Sequence, residues 1–413
     1  MADSPAATLA EAAPVDLNAL LSDRIRGIGT SQIGLVADRG RDDPDVVKLW
    51  IGEGDLPTPP FIIEAAHRAM LDGHTRYTTS LGLPALREAL GAYHARHWGV
   101  EIPPDRFAVT AGGMNAIMQA AQVLLEPGDE IIIPSPAWPN LREAVRIAGG
   151  VPVAVPYRRQ PDGRFALPLA DIEAALTPRT RVIMINSPSN PTGWTMPLAE
   201  MEALRDLARA RGLWILSDEV YAHFTYGNHI APSFLQICEP DDRLIVTNTF
   251  SKNWAMTGWR AGWVIYPRGL APTFAKLGQY STTSISTFVQ HACIAALNEG
   301  DGFIRTMVDR CAEARTILVD GLSRLPGVTV APPDGAFYLM ARMGGDEPSL
   351  DLALRLLREA KVGVAPGTAF GPEGEGLVRI CFAISPELAR EAVARLSAVL
   401  GRDGRTDRSS GSA

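Results

Sequence analysis

Seven short apolar runs, separated by stretches in which apolar residues return every three or four positions, fill the middle of this chain. The runs are Phe107–Thr110, Glu130–Pro134, Val151–Val155, Arg181–Asn186, Trp214–Ser217, Leu244–Thr247 and Gly262–Tyr266. Helical spacing marks Met114–Leu125, Asn140–Ala148, Ala199–Ala210 and the stretch beginning near Thr287. Runs that are apolar throughout fit strands covered on both faces, and their alternation with helices signals a mostly parallel sheet. The expected fold is α/β: a mixed, mostly parallel seven-stranded sheet between helices.

Upstream, Val46–Ile51 reads as a strand, and Pro57, Pro59 and Pro60 form a stiff connector before a helix at Phe61–Leu71. Downstream, helical spacing runs from Thr287 to about Leu325, and strand and helix patterns then mix. The organisation expected is a large domain over residues 61–290 and a smaller α+β domain built from both chain ends, 20–60 with 291–400. Residues 1–19 are expected to be a flexible segment, and the polar Gly/Ser-rich residues 401–413 a disordered tail.

At 413 residues the chain is long enough for two cores. Its 46% hydrophobic and 21% charged residues lie in the range of soluble globular proteins. A formal charge of −7 supplies no positive field for phosphate backbones or anionic lipid, so nucleic acid is not an expected partner. No run approaches the roughly 20 apolar residues that span a bilayer. The alanine-rich, acidic start lacks the pattern of a secretory signal, and Cys238, Cys293, Cys311 and Cys381 are too scattered for a disulfide framework. A cytoplasmic protein with reduced cysteines is expected.

Ligands in open α/β sheets gather at the carboxyl ends of the strands, so the residues after each run carry the functional argument. After Thr110 comes Ala111-Gly112-Gly113-Met114-Asn115 and then a helix, a turn that would aim backbone N–H groups at a phosphate. Alone, such a glycine pair is more often an ordinary tight turn. After Asn186 comes Ser187-Pro188-Ser189-Asn190-Pro191-Thr192-Gly193, stiff enough to fix Asn190 against a ligand, or simply a proline-rich turn. The run ending at Ser217 delivers Asp218-Glu219-Val220-Tyr221, with Asp218 expected to be buried and in need of a cationic partner. After Thr247 come Asn248-Thr249-Phe250-Ser251-Lys252 and Gly258-Trp259-Arg260. One sheet edge would thus gather an amine, a buried carboxylate, a phenol, an amide and a phosphate clamp, the set pyridoxal phosphate requires.

In order and spacing these segments resemble the class I/II aminotransferases of the fold type I pyridoxal-phosphate enzymes, in particular their bacterial aspartate-aminotransferase-like branch. The resemblance covers about residues 20–400. It includes Gly52-Glu53-Gly54-Asp55, Thr75-Arg76-Tyr77 with Gly82, Ser135-Pro136-Ala137-Trp138, Asn190-Pro191-Thr192-Gly193, Asp218-Glu219-Val220-Tyr221, Ser251-Lys252, Gly258-Trp259-Arg260-Ala261-Gly262-Trp263 and Val378-Arg379-Ile380.

The resemblance implies a role for each matching position. Lys252 matches the lysine that holds the cofactor as an imine and later moves the substrate α-proton. Asp218 matches the carboxylate that keeps the pyridine nitrogen protonated, and Tyr221 and Asn190 the pair that bonds the ring's phenolic oxygen. Trp138 would stack on the ring. Arg260, Thr249 or Ser251, and the backbone of Gly112, Gly113 and Met114 match the phosphate cup. Tyr77 matches a tyrosine that reaches the phosphate from a neighbouring subunit, which implies a homodimer with shared sites. Arg379 matches the arginine that grips the substrate α-carboxylate through a bidentate fork, with Gly52 and Asn190 beside it.

The implied activity moves an amino group between an L-amino acid and a 2-oxo acid. Met114 stands where the aspartate-specific bacterial branch commonly has a lysine, and Leu277 where animal-type enzymes have an arginine, with Lys276 adjacent. A neutral or aromatic amino donor is therefore expected, with 2-oxoglutarate or pyruvate as acceptor. The same scaffold also serves pyridoxal-phosphate lyases and synthases. A cofactor-sensing regulatory module would need a basic DNA-binding domain, and a dehydrogenase a G-x-G-x-x-G turn that the sequence lacks. His94 and His97 share a helical face but have no third ligand in sequence, so no metal is expected.

Overall fold

The computed structural model describes residues 16–227, 229–343 and 345–410, the side chains of 402–410 apart. Its centre is a seven-stranded sheet of β1 Phe107–Thr110, β2 Glu130–Ser135, β3 Val151–Pro156, β4 Thr180–Asn186, β5 Trp214–Asp218, β6 Leu244–Thr249 and β7 Gly262–Ile265. The spatial order is β1-β7-β6-β5-β4-β2-β3. Only β7 runs against its neighbours; the pairs β6·β5, β5·β4, β4·β2 and β2·β3 are parallel.

The central strands are largely apolar because both their faces are covered, while the edge strand β3 is mostly exposed or half-buried. Val109, Ile132, Ile183, Ile185, Ile215, Val246 and Trp263 face one core, and Ala108, Ile131, Ile133, Val182, Met184, Leu216, Ile245 and Val264 the other. This is the period-2 alternation of a pleated strand applied to an all-apolar run. Each fully buried branched side chain contributes roughly 1.5–3 kcal/mol, so the sheet contributes heavily to stability. Helices α1 Gln32–Gly40, α2 Pro60–Leu71, α3 Pro84–Trp98, α4 Gly113–Leu124, α5 Pro139–Ile147, α6 Leu198–Arg211, α7 Ala271–Ser281, α8 Thr287–Glu299 and α9 Asp301–Leu322 follow in chain order.

A second sheet, β8 Thr329–Val330, β9 Tyr338–Arg342, β10 Ala365–Pro366 and β11 Val378–Cys381 in the order β8-β9-β11-β10, packs with α10 Ser349–Ala360 and α11 Pro386–Ser410. A third core joins this sheet to Val36 and Trp50 near the start of the chain, to Met307 and Leu318 of α9, and to Val220 and Tyr221 beside the large sheet. Segments from both chain ends thus pack together in this core. Val289, Cys293 and Leu297 of α8 pack with the large core, so α8 straddles the boundary drawn at 290.

Three elements differ from the sequence reading. The long helical stretch after Thr287 is two helices, interrupted at Gly300. The strand expected over Val46–Ile51 pairs only at Val47–Lys48, in parallel with Val362–Gly363. Helical backbone continues past Leu400 to Ser410, where a disordered tail was expected. The proposed N-terminal flexible segment lies outside the described residues up to 15, and Leu17–Leu20 form a 3₁₀ turn. Among the described residues no helix is long and apolar enough to cross a membrane, and no His/Cys/Asp/Glu group is placed to hold a metal ion.

His94 is buried in α3 with neither ring nitrogen hydrogen-bonded, stacked on Trp98 at 5.2 Å between centroids. Burial, and then the neighbouring His97, push it down to about 3. As pH falls through about 6.5 the unfolded chain takes up a proton at this residue and the fold does not, so stability is lost on acidification. His94→Phe should stabilise the protein by about 1–2 kcal/mol at pH 7.5, since it removes an unsatisfied buried polar group. The gap should widen at pH 5, as read by urea denaturation of both proteins.

Candidate active site

Because β1, β2, β4, β5 and β6 point the same way, Thr110, Ser135, Asn186, Asp218 and Thr249 all finish at one edge of the sheet. Antiparallel β7 brings its beginning there instead: Gly262 pairs with Thr110 on one side and Thr249 on the other. A Cβ on Gly262 would lie 2.7 Å from the Gly112 carbonyl carbon and 2.8 Å from both Gly113 N and Asn248 O. That closeness sets α4 directly on the strand ends. Above this edge lies a cavity of about 400 Å³, bounded on the far side by the small domain.

Asp218 ends β5 in the cavity wall, 3% exposed. Its carboxylate accepts from Asn186 Nδ2 at 3.0 Å and Thr247 Oγ1 at 3.4 Å, and no cation among the described residues forms an ion pair with it. Burial raises it to about 7, and the charge of Glu219 adds to the effect. Glu219, also pushed up to about 7 by burial, points the other way and accepts from Ser217 and the Phe234 N–H.

Lys252 sits on the helical turn Phe250–Asn253 that follows β6, and Thr249 caps the turn by accepting from the Ser251 N–H. Lys252 Nζ projects into the cavity and donates to the Gly52 carbonyl at 2.6 Å, 5.9 Å from the centre of the Tyr221 ring. Burial lowers its ammonium to about 8. Gly113, Met114, Thr249, Ser251 and Arg260 line the same end of the cavity. Gly113 begins α4, so its N–H and that of Met114 have no acceptor within the helix. Arg260 has a left-handed backbone, φ 54°, and its Nη1 donates to the Thr257 carbonyl at 2.7 Å. A non-glycine residue held there costs about 1–3 kcal/mol, strain of the kind found at ligand clamps.

On the small-domain side the Arg379 guanidinium, 2% exposed, lies between two rings, 4.6 Å from the centre of Tyr338 and 4.9 Å from Phe370. Nη1 donates to Asn190 Oδ1 at 3.2 Å, Nη2 donates to the Trp50 carbonyl, and Nε has no partner. The Tyr221 and Tyr338 hydroxyls bond each other at 2.8 Å, and burial raises Tyr221. Trp138, whose N–H donates to the Asn190 carbonyl at 3.0 Å, completes the wall with Ile33, Ile51 and Ile117.

Twelve of the residues singled out from sequence line this one cavity: Gly52, Gly113, Met114, Trp138, Asn190, Asp218, Tyr221, Thr249, Ser251, Lys252, Arg260 and Arg379. Gly112 is just behind it as the N-cap of α4. Tyr77 is 89% exposed and is not part of its own chain's cavity; neither are Lys276 and Leu277 of α7. Sequence reasoning missed Asn186 and Thr247, the donors to Asp218, and Tyr338. Asn186 was visible as a polar residue closing an apolar run. Tyr338 gave no local signal, because only the pairing of β9 with β11 brings it beside Arg379.

A family model described as aminotransferase class I and II matches residues 44–396. The chain belongs to this family. It is 37% identical over 383 residues to an aspartate aminotransferase of Pyrococcus horikoshii, a match spanning 92% of this chain and 97% of that relative. It is 39% identical over 367 residues to an aspartate/prephenate aminotransferase of Thermus thermophilus, spanning 88% and 93%. An aromatic aminotransferase structure from Pyrococcus horikoshii superposes with a TM-score of 0.82 at 35% identity, covering 89% of this chain and 99% of that one. This aminotransferase is therefore a transaminase of a pyridoxal-phosphate-dependent family, with that family's α/β fold.

With no ion pair among the described residues to offset its burial, Asp218 penalises the fold when ionised. The folded state protonates it near pH 7 and the unfolded chain near 3.8, so stability falls as pH rises between those values and the full penalty persists above 7. Asp218→Asn in the cofactor-free aminotransferase should raise unfolding stability at pH 8 by on the order of 2–4 kcal/mol. The gain should shrink towards zero near pH 4. Denaturant titrations at the two pH values check it.

Proposed function

We propose that the cavity binds pyridoxal phosphate and that the enzyme transfers amino groups from L-amino acids with neutral or aromatic side chains to 2-oxo acids such as 2-oxoglutarate or pyruvate. The observation that carries this reading is the facing pair in one cavity: an amine, Lys252, lowered towards neutrality, and a buried carboxylate, Asp218, that lacks a cation. The residues present fit the cofactor. A protonated pyridine nitrogen would supply Asp218's missing charge, and the free first-turn N–H groups of α4 with Arg260 suit a phosphate dianion.

Bound there, pyridoxal phosphate supplies an electron-accepting ring and an aldehyde carbon through which the amino group passes. The chain's own residues do the rest. Asp218 holds the proton on the ring nitrogen. Tyr221 and Asn190 offer donors to the phenolic oxygen, and Trp138 covers the ring face. Gly112, Gly113, Met114, Thr249 or Ser251, and Arg260 hold the phosphate. Lys252 Nζ, neutral in part near physiological pH, is placed to take the proton from the substrate α-carbon, and would return it to the aldehyde-derived carbon on the other side of the nitrogen. Arg379 receives the α-carboxylate on its remaining N–H donors, its plane fixed by two rings, with the Gly52 backbone opposite. Ile33, Ile51 and Trp138 exclude water above the reacting atoms.

The side-chain preference rests on the lining. Its cations are Lys252, Arg260 and Arg379, each already hydrogen-bonded, and the rest of the lining is mostly apolar, with Met114, Ile117, Ile33, Ile51 and Trp138 beside the neutral polar Asn140 and Thr257. A second carboxylate would be buried there unpaired. We also propose a homodimer in which Tyr77 of a second copy reaches the phosphate. Its 89% exposure outside its own cavity supports this, as does Tyr280 at 88% on α7. A cytoplasmic location is proposed as well, consistent with four unpaired cysteines, three of them buried.

The purified protein with added pyridoxal phosphate should absorb at roughly 360–430 nm and shift to about 330 nm with phenylalanine or leucine, whereas Lys252→Ala should not turn over. Absence of the visible band would overturn the cofactor assignment. Met114→Lys should raise kcat/KM for aspartate relative to phenylalanine at least about tenfold, a change of ~1.4 kcal/mol. Steady-state assays with both donors read it.

A further inference from the structure

Of the two rings that sandwich Arg379, one has an obvious support and the other does not. Tyr338 is the first residue of β9 and is held by the β9·β11 ladder, in which Tyr338 pairs with Cys381 and Met340 with Arg379 itself. Phe370, fully buried, closes the 3₁₀ turn Gly367–Phe370 and belongs to no strand. What holds it comes from the other domain. Its carbonyl accepts two hydrogen bonds, from the Ala137 N–H at 2.8 Å and from Arg142 Nη1 at 2.7 Å. Three residues on, Glu373 Oε2 accepts from Ser135 Oγ at 2.6 Å.

Between them Gly371 has φ 134°, and a Cβ there would lie 2.7 Å from Ser135 Oγ and Glu373 Oε2 and 2.8 Å from Arg142 Nη1. The turn is pressed onto the large domain without room for a side chain. Arg142 is half-buried, forms no ion pair among the described residues, and spends its donor on this one main-chain oxygen. The same large-domain segment runs on to Trp138, whose N–H bonds the Asn190 carbonyl, and Asn190 Oδ1 accepts from Arg379. Residues 135–142 therefore bear on Arg379 from two directions.

We infer that Arg142, Ser135 and Glu373 form an interdomain latch that holds the Phe370 ring against the Arg379 guanidinium, and that they are positioning residues for substrate carboxylate binding. The inference rests on the reading of Arg379 as the carboxylate site. With the latch closed, Arg379 is a flat, immobile fork between two rings. With it open, the Phe370 plate is released and the guanidinium keeps only the Tyr338 contact, free to swing out of the plane the two rings had fixed. Substrate carboxylate affinity is thereby linked to the seating of one domain on the other, while Arg142, Ser135 and Glu373 themselves line no part of the cavity, so cofactor affinity should move far less.

The test uses the pyridoxal-phosphate-loaded enzyme and 3-phenylpropionate, a carboxylate with no amino group to react, with binding measured by calorimetry. Arg142→Ala and the milder Glu373→Gln should each weaken 3-phenylpropionate about tenfold and raise the KM for phenylalanine similarly, with kcat changed less than about threefold. Visible absorbance and pyridoxal-phosphate affinity should stay at the wild-type level, and Arg142→Lys should recover most of the loss. Wild-type carboxylate binding in both variants, alongside its loss in Arg379→Ala, would overturn the latch and leave the Arg379 reading intact. Normal binding in Arg379→Ala as well would overturn both. Loss of cofactor in Arg142→Ala and Glu373→Gln alike would overturn the latch in favour of a general structural role.

Discussion

Everything around the cavity depends on the near-contact of two backbones at Gly262 and Gly112–Gly113. A reversed strand between β1 and β6 could not start at this edge if its first residue carried a side chain. With glycine there, α4 rests directly on the strand ends, its unpaired N–H groups and Arg260 lie together, and Lys252 follows from the neighbouring strand. A parallel sheet collects chain at one edge; this close approach turns the collection into a defined space.

Inside that space the electrostatics are arranged by burial rather than by pairing. Asp218 and Lys252 are both shifted away from their charged forms, and neither forms an ion pair among the described residues. Removing charges from water without partners is destabilising, so an isolated chain carries an imbalance that a molecule with one cationic nitrogen and one electrophilic carbon would relieve. Perturbed groups of this kind cluster at functional sites.

Much of this was legible in the sequence, for a physical reason. Strands buried in a covered sheet read as apolar runs, and all seven were found; the residues just past them are the ones that line the cavity. What was not legible depends on distant parts of the chain meeting. Tyr338 and Phe370 flank Arg379 only through the small sheet and a turn docked on the large domain. Asn186 and Thr247 bond Asp218 only because β4 and β6 flank β5. The interruption at Gly300 was hidden because apolar spacing continues across it, and the last helix was masked by a composition that suggests a tail.

The two sheets divide the work between them. The large sheet supplies the edge where the cofactor is proposed to lie, and the small one carries Arg379 and Tyr338. Substitutions in the small sheet would therefore act first on the proposed carboxylate site, and would reach the groups proposed to hold the cofactor only through the bonds of Tyr338 to Tyr221 and of Arg379 to Asn190. A scaffold separated in this way can be redirected to new substrates by drift in one half, while the reactive half is preserved by selection for the chemistry common to all of them.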